Sequence, residues 1–155
     1  MTNEQVEVQV ERDHTHAASN GKTELSLEAL ARLQPSVARL MLEIGERFWR
    51  CYHAAKAQNR RLARFQLSEG TKLLKQCVVV RPQYDEDMTA FIDGELAALR
   101  AAIDEGDWAG FESAFSTMTA SVNRLHGDWN HGFLVWQVPE QPPADLVLEP
   151  RAEDR

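Results

Sequence analysis

The residues of this chain best suited to bind a cofactor or a metal ion are histidines. His126 and His131 lie in the stretch SVNRLHGDWNHGFLVWQVP, residues 121–139, and His53 lies in an earlier helical segment. Neutral imidazole is a common ligand of zinc and iron. One hypothesis is therefore a divalent metal site formed by His53, His126 and His131. The alternative is that His126 ends a helix and hydrogen-bonds a backbone carbonyl.

Helices must position these side chains, because apolar residues recur along the chain at steps of three and four. The pattern predicts a short helix at 24–34 that ends before Pro35, and long helices at 36–59, 61–79, 85–106 and 108–126. Four long helices with short connections predict an all-α fold, an antiparallel four-helix bundle. The predicted buried positions are Val37, Leu40, Met41, Ile44, Phe48, Cys51, Ala55, Leu62, Phe65, Leu73, Cys77, Phe91, Leu96, Leu99, Ile103, Phe111, Phe115, Met118, Val122 and Leu125.

Single residues mark where these helices weaken or end. Gly70 weakens the second long helix by about 1 kcal/mol relative to Ala. Gly106 is suited to a helix C-cap and Asp107 to the next N-cap. Outside the helical domain, 23–139, the sequence predicts a flexible polar arm at 1–22 and an extended, proline-rich tail at 140–155.

Composition narrows the classes of partner. The 155 residues carry a formal net charge of −7, which argues against nucleic acid and against an anionic membrane surface as partners. The sequence shows neither an apolar run of transmembrane length nor a secretory signal at its start, so we expect a cytoplasmic protein. Cys51 and Cys77 are predicted to be free, buried thiols.

The stretch that holds His126 resembles the end of a family of small four-helix-bundle c-type cytochromes, as a haem-less relative. Val122-Asn123-Arg124-Leu125-His126 occupies the positions of that family's Cys-Asn-x-Cys-His motif, and Phe133, Leu134 and Pro139 fit the residues that follow it. Upstream, Met41, Asn59-x-x-Leu62-Ala63 and Glu69 are similar to positions in its first helices. The likeness covers about residues 36–139 and implies a cytochrome c'-like bundle.

The chain departs from that family where haem is attached. Covalent attachment needs two thiols, and Val122 and Leu125 stand in their places. The departure implies that electron transfer is not carried over and that bulky side chains fill the former haem space, with Trp49, Trp129, Trp136 and Phe133 large enough to contribute. His126 keeps the family's axial position and Met41 lies near that of a sixth ligand. Non-covalent haem held by His126 and Met41 therefore remains an alternative to a chain without a cofactor.

These features predict an accessory protein. We expect a haem-free helical interaction protein without catalytic activity of its own, the small subunit of a larger complex such as a two-subunit oxidoreductase or dioxygenase, or a homo-oligomer. The candidate interface residues are Trp129 and Trp136, because aromatic residues often anchor interfaces, and the basic group Arg60, Arg61 and Arg64. The rival hypothesis is a binder of non-covalent haem, a metal ion or a small aromatic ligand near His126.

Overall fold

A computed structural model of the chain describes residues 18–19, 21–22 and 24–152. The chain divides into two compact units, 1–36 and 37–155. Most of the predicted arm, residues 1–17 and 20, lies outside the described residues. In the first unit the two-residue strands β1, Ala18–Ser19, and β2, Glu24–Leu25, pair antiparallel.

A short helix, α1, Leu27–Leu33, completes the described part of the first unit. It begins two residues after β2 because the Ser26 hydroxyl accepts a hydrogen bond from the Ala29 amide at 3.1 Å and caps the helix. Residues 24–25 therefore belong to a strand and not to the first turn of the predicted helix. Gln34 has extended backbone angles, as expected for the residue before Pro35.

The second unit is helical, and the all-α prediction is confirmed. Its helices are α2, Val37–Lys56, α3, Arg60–Val80, α4, Asp85–Phe91, α5, Ala97–Glu105, and α6, Trp108–Asp128. A 3-10 turn, Pro82–Tyr84, precedes α4, and a π-helical turn, Ile92–Leu96, joins α4 to α5. Within residues 18–19, 21–22 and 24–152, no helix is both long and apolar enough to cross a membrane.

Helices α2 and α3 form an antiparallel pair in close contact. The Cys51 thiol donates to the Ala63 carbonyl at 3.4 Å. Farther along, a Cβ added to Gly70 would lie 2.8 Å from Cε1 of the buried Phe48 ring. Gly70 therefore does more than weaken its helix, because the absence of a side chain lets the two helices approach.

The buried face of α3 differs from the predicted one. Ala63, Leu67, Gly70 and Leu74 face the core, whereas Phe65 is 52% exposed. The prediction followed the largest apolar side chains, but the buried face includes two small residues, Ala63 and Gly70, where α3 contacts α2. The prediction that Phe65 is buried was wrong.

The connection between α5 and α6 agrees with the sequence. Gly106 has a positive φ of 73° and caps α5, a conformation that costs glycine little. The Asp107 carboxylate accepts from the Gly110 amide at 2.9 Å and caps α6. Phe111 and Phe115 on α6 are buried in the core, as predicted.

Candidate functional site

Helix α6 ends in a Schellman motif, the tight turn that reverses the chain after a helix. Asn130 has a φ of 62°, in the left-handed region that asparagine tolerates better than most residues. The His131 amide donates to the His126 carbonyl at 2.6 Å, and the Asn130 amide donates to the Gly127 carbonyl at 3.1 Å. These bonds satisfy carbonyls that the helix leaves open, and the following residues return along α6.

The returning chain, residues 134–148, forms an extended strap that side chains of α6 hold at its start. The Trp136 amide donates to Asn123 Oδ1 at 2.7 Å, and Asn123 Nδ2 donates to the Trp136 carbonyl at 3.0 Å. His126 Nδ1 donates to the Leu134 carbonyl at 2.8 Å. Asn123 and His126 are one helical turn apart, so they reach two alternate residues of the strap.

The rest of the strap is held by α2 and by the cap of α3. Side chains of α2 and of the α3 cap bond the strap at four points, three of them backbone carbonyls and one a carboxylate. These bonds join His53 to Pro139 at 3.0 Å, Trp49 to Gln141 at 2.9 Å, Arg50 to the Asp145 carboxylate at 2.9 Å, and Asn59 to Leu148 at 3.0 Å. The predicted extended tail therefore follows the helices over most of its described length.

An apolar cavity of about 80 Å³ lies beside Trp136. It brings together Met41 and His126, which the sequence paired as haem ligands, and Val122 and Leu125, which stand in place of the attachment thiols. The remaining lining residues come from α2, α3, α4 and the turn after α6. They are Ile44, Gly45, Phe48, Leu74, Met88, Phe91 and Trp129.

The two tryptophans proposed as interface anchors form walls of this cavity. A Cβ added to Gly45 would lie 3.5 Å from Trp136 Nε1, so the indole rests directly on α2. The Trp129 ring stacks on Tyr84 with ring centroids 4.4 Å apart and donates to Asp87 Oδ2 at 2.8 Å. Both indoles are half-buried, and their aromatic surface is largely engaged within the chain.

The structure does not bring the three candidate histidines together. His53, His126 and His131 each bond a different backbone carbonyl through one ring nitrogen. A carbonyl only accepts, so we assign the proton in each ring to the bonded nitrogen. In the part of the chain that the structure describes, no three His, Cys, Asp or Glu side chains are grouped to hold a metal ion.

The residues at the cavity do not fit haem. Val122 and Leu125 offer no thiol for covalent attachment. Pockets for drug-sized ligands measure roughly 300–1,000 Å³, and a porphyrin is as large as such a ligand. This cavity measures about 80 Å³. Met41 and His126 face the same small space, but the surrounding side chains occupy the volume that a macrocycle needs.

The three arginines of the predicted basic group are exposed on the first turns of α3. Arg64 forms an ion pair with Asp104 at 3.3 Å. The guanidinium of Arg60 lies against Gly106, where an added Cβ would be 2.7 Å from Nη2. Arg60 and Arg64 thus contact the α5 end of the same unit, and the ion pair with Asp104 partly offsets the charge of Arg64.

The largest exposed apolar feature near the site is Phe133-Leu134-Val135, which we call the apolar loop. Phe133 is 79% exposed, Leu134 48% and Val135 75%. Phe133 therefore does not fill the cavity, contrary to the sequence expectation. Because the Schellman turn precedes the loop and the Asn123–Trp136 bonds follow it, the loop is fixed at both ends. In the sequence, three consecutive apolar residues outside a predicted helix are the feature that could have indicated this loop.

Burial determines the chemistry of the two thiols. Cys51 and Cys77 are free and buried, as predicted. Burial raises the pKa of Cys51 to about 12 and that of Cys77 to about 11. Both are therefore neutral thiols near pH 7, and neither is an activated nucleophile.

Comparison of the chain with protein families, curated proteins and solved structures gave no match.

Proposed function

We propose that this chain is a haem-free helical interaction protein, a non-catalytic accessory or small subunit of a larger complex. The observation that carries the proposal is the apolar loop, residues 133–135. Isolated exposed apolar residues are ordinary on a protein surface, but contiguous apolar patches often mark binding sites. Phe133, Leu134 and Val135 are consecutive in the chain and all exposed, directly after the turn that ends α6.

The attachment of the loop favours binding. An interface formed by a mobile loop loses affinity because the loop must be ordered. Here Asn123 and His126 hold the backbone at Trp136 and Leu134, so little further ordering is needed. The partner that fits is a larger protein with an apolar depression that takes Phe133 and Val135.

We further propose that the scaffold is a four-helix bundle similar to that of the small c-type cytochromes, with the haem space filled. The supporting observation is that Met41, Val122, Leu125 and His126 line one cavity. These are the positions that the sequence resemblance assigns to haem attachment and axial ligation. A relative of these cytochromes that had lost its haem would still hold these four side chains around one space.

The proposal is tested by isolating the tagged, full-length chain from the cells that naturally express it. We expect one larger protein to co-purify in a fixed molar ratio. The double substitution Phe133→Ser/Val135→Ser should abolish this co-purification while leaving the thermal midpoint within a few degrees of wild type, because surface substitutions usually change stability by about 0.5 kcal/mol or less.

The matched control is Val79→Ser, which removes an aliphatic side chain 73% exposed near the end of α3. This variant should retain the partner. A monomeric wild-type chain without a stoichiometric partner would overturn the proposal, as would equal retention by the loop variant. If sedimentation shows that the partner is a second copy of this chain, the heteromeric form is excluded.

A further inference from the structure

The cavity beside Trp136 has the composition of a binding site for a small apolar molecule. Its lining combines aliphatic, aromatic and methionine side chains, and His126 is the most polar of them. Apolar cavities bind apolar molecules because such cavities are poorly hydrated and a ligand restores dispersion contacts. We propose that this cavity takes an apolar ligand no larger than one aromatic ring. The inference goes beyond the accessory function and does not depend on it.

The volume sets the upper limit on ligand size. An engineered apolar cavity of about 150 Å³ holds benzene or xenon, and this cavity measures about 80 Å³. Xenon or a comparably small apolar molecule fits with little rearrangement. A benzene ring needs some widening, which Met41 and Met88 can provide because unbranched methionine side chains adapt to irregular spaces.

The walls of the cavity differ in how readily they can move. Ile44, Phe48, Phe91 and Leu125 are buried core residues that pack tightly. The lining residues that are half-buried lie nearer the surface; they are Met41, Gly45, Val122, His126, Trp129 and Trp136. Entry therefore takes place on this half-buried side, to which the strap contributes Trp136, and does not require the buried core contacts to separate.

Gly45 allows the cavity to be narrowed without damage to the fold. An added Cβ would lie 3.5 Å from Trp136 Nε1, an ordinary van der Waals distance. In a helix interior, Ala is also more favourable than Gly. Gly45→Ala therefore places a methyl group in the cavity wall while supporting α2. Gly94→Ala is the matched control, because nothing lies within 4 Å of the added Cβ.

The test is titration of the full-length chain with xenon and with benzene, followed by NMR of the indole N–H signals of its four tryptophans. Saturable shifts are expected for Trp136 and Trp129, which line the cavity, and not for Trp49 or Trp108. Gly45→Ala should weaken binding on the order of tenfold, given the usual cost of overfilling a packed space. Gly94→Ala should bind as wild type.

Two results would overturn the inference. One is the absence of saturable shifts at Trp136 and Trp129 with either probe. The other is equal affinity for wild type and Gly45→Ala, which would place the bound molecule elsewhere. Both alanine variants are expected to fold, so loss of binding in Gly45→Ala alone cannot be attributed to unfolding.

Discussion

The hydrogen bonds between Asn123 and Trp136 should control how firmly the strap is attached. Asn123→Ala removes both bonds and leaves a half-buried amide and carbonyl of Trp136 without their protein partner. Each such bond contributes about 0.5–1.5 kcal/mol, and an unsatisfied group costs about 1–3 kcal/mol when water does not replace the partner. Because this site is only half-buried, we expect opening of the strap to become easier by about 1–3 kcal/mol.

That change is measurable by hydrogen exchange. An opening free energy lower by about 1–3 kcal/mol corresponds to exchange of the Trp136 amide faster by roughly 5–150-fold. Core amides of α3 should keep their protection, because the substitution leaves the helix packing intact. Asn59 should still hold the far end of the strap at Leu148. Unchanged exchange at Trp136 would refute the conclusion that Asn123 holds the strap.

Asn123→Asp tests the bond that Asn123 Nδ2 donates separately from the bond that Asn123 Oδ1 accepts. The carboxylate still accepts from the Trp136 amide, but its second oxygen faces the Trp136 carbonyl, an acceptor, where the amide nitrogen stood. The bond from the Trp136 amide favours the charged form, whereas partial burial and the facing carbonyl oxygen favour the protonated acid, which can donate to that carbonyl. We expect the second pair of effects to dominate, so that the folded pKa of the introduced carboxyl lies above its unfolded value of about 3.9. The stabilisation is full below the unfolded pKa and is lost as pH rises through the folded pKa. Relative to wild type at each pH, the variant should therefore hold the strap better at pH 3.5 than at pH 7.

Two further predictions concern the core. Gly70→Ala should lower the free energy of unfolding by up to about 2 kcal/mol, because an overpacking cost of about 1–3 kcal/mol against Phe48 is reduced by a helix-propensity gain of about 1 kcal/mol. Gly94→Ala should raise the free energy of unfolding by about 0.5–1 kcal/mol. Equal changes for the two variants in urea denaturation would contradict the conclusion that Gly70 lets α2 and α3 approach. The Cys51 thiol should not react with a disulfide reagent at pH 8 until the protein unfolds. Burial raises the folded pKa of Cys51 to about 12 from 9.0, so the stabilisation that the neutral thiol contributes is full below pH 9 and is lost as pH rises from 9 toward 12. Cys51→Ala should therefore reduce the fall in the urea midpoint between pH 8 and pH 10.

The sequence predicted the helical elements well because repeated burial leaves a periodic signal. The structure confirms helices over most of 36–59, 61–79, 85–106 and 108–126, with Gly106 and Asp107 as caps. It corrects the buried face of α3, where Phe65 is exposed and Gly70 is buried. Residue size misleads at such a position, because close packing of two helices favours small side chains over large ones.

The candidate site was predictable only in part. The resemblance to cytochromes pointed to Met41 and His126, and the structure places both at one cavity. The path of the strap had no comparable signal, because its attachment depends on single side chains that bond backbone groups far along the sequence. The outward direction of Phe133 follows from that path, and for this reason its exposure was not foreseen.

The roles of Asn123 and His126 bear on how the cytochrome resemblance is interpreted. In this chain both side chains bond the backbone of the strap, and those bonds require an amide at 123 and a ring N–H at 126. The match at these two positions therefore has a structural explanation that needs no haem. By contrast, the thiol positions, Val122 and Leu125, contribute apolar surface to the cavity. A chain that had lost its haem would be free to change the thiols, whereas its strap would still depend on the asparagine and the histidine.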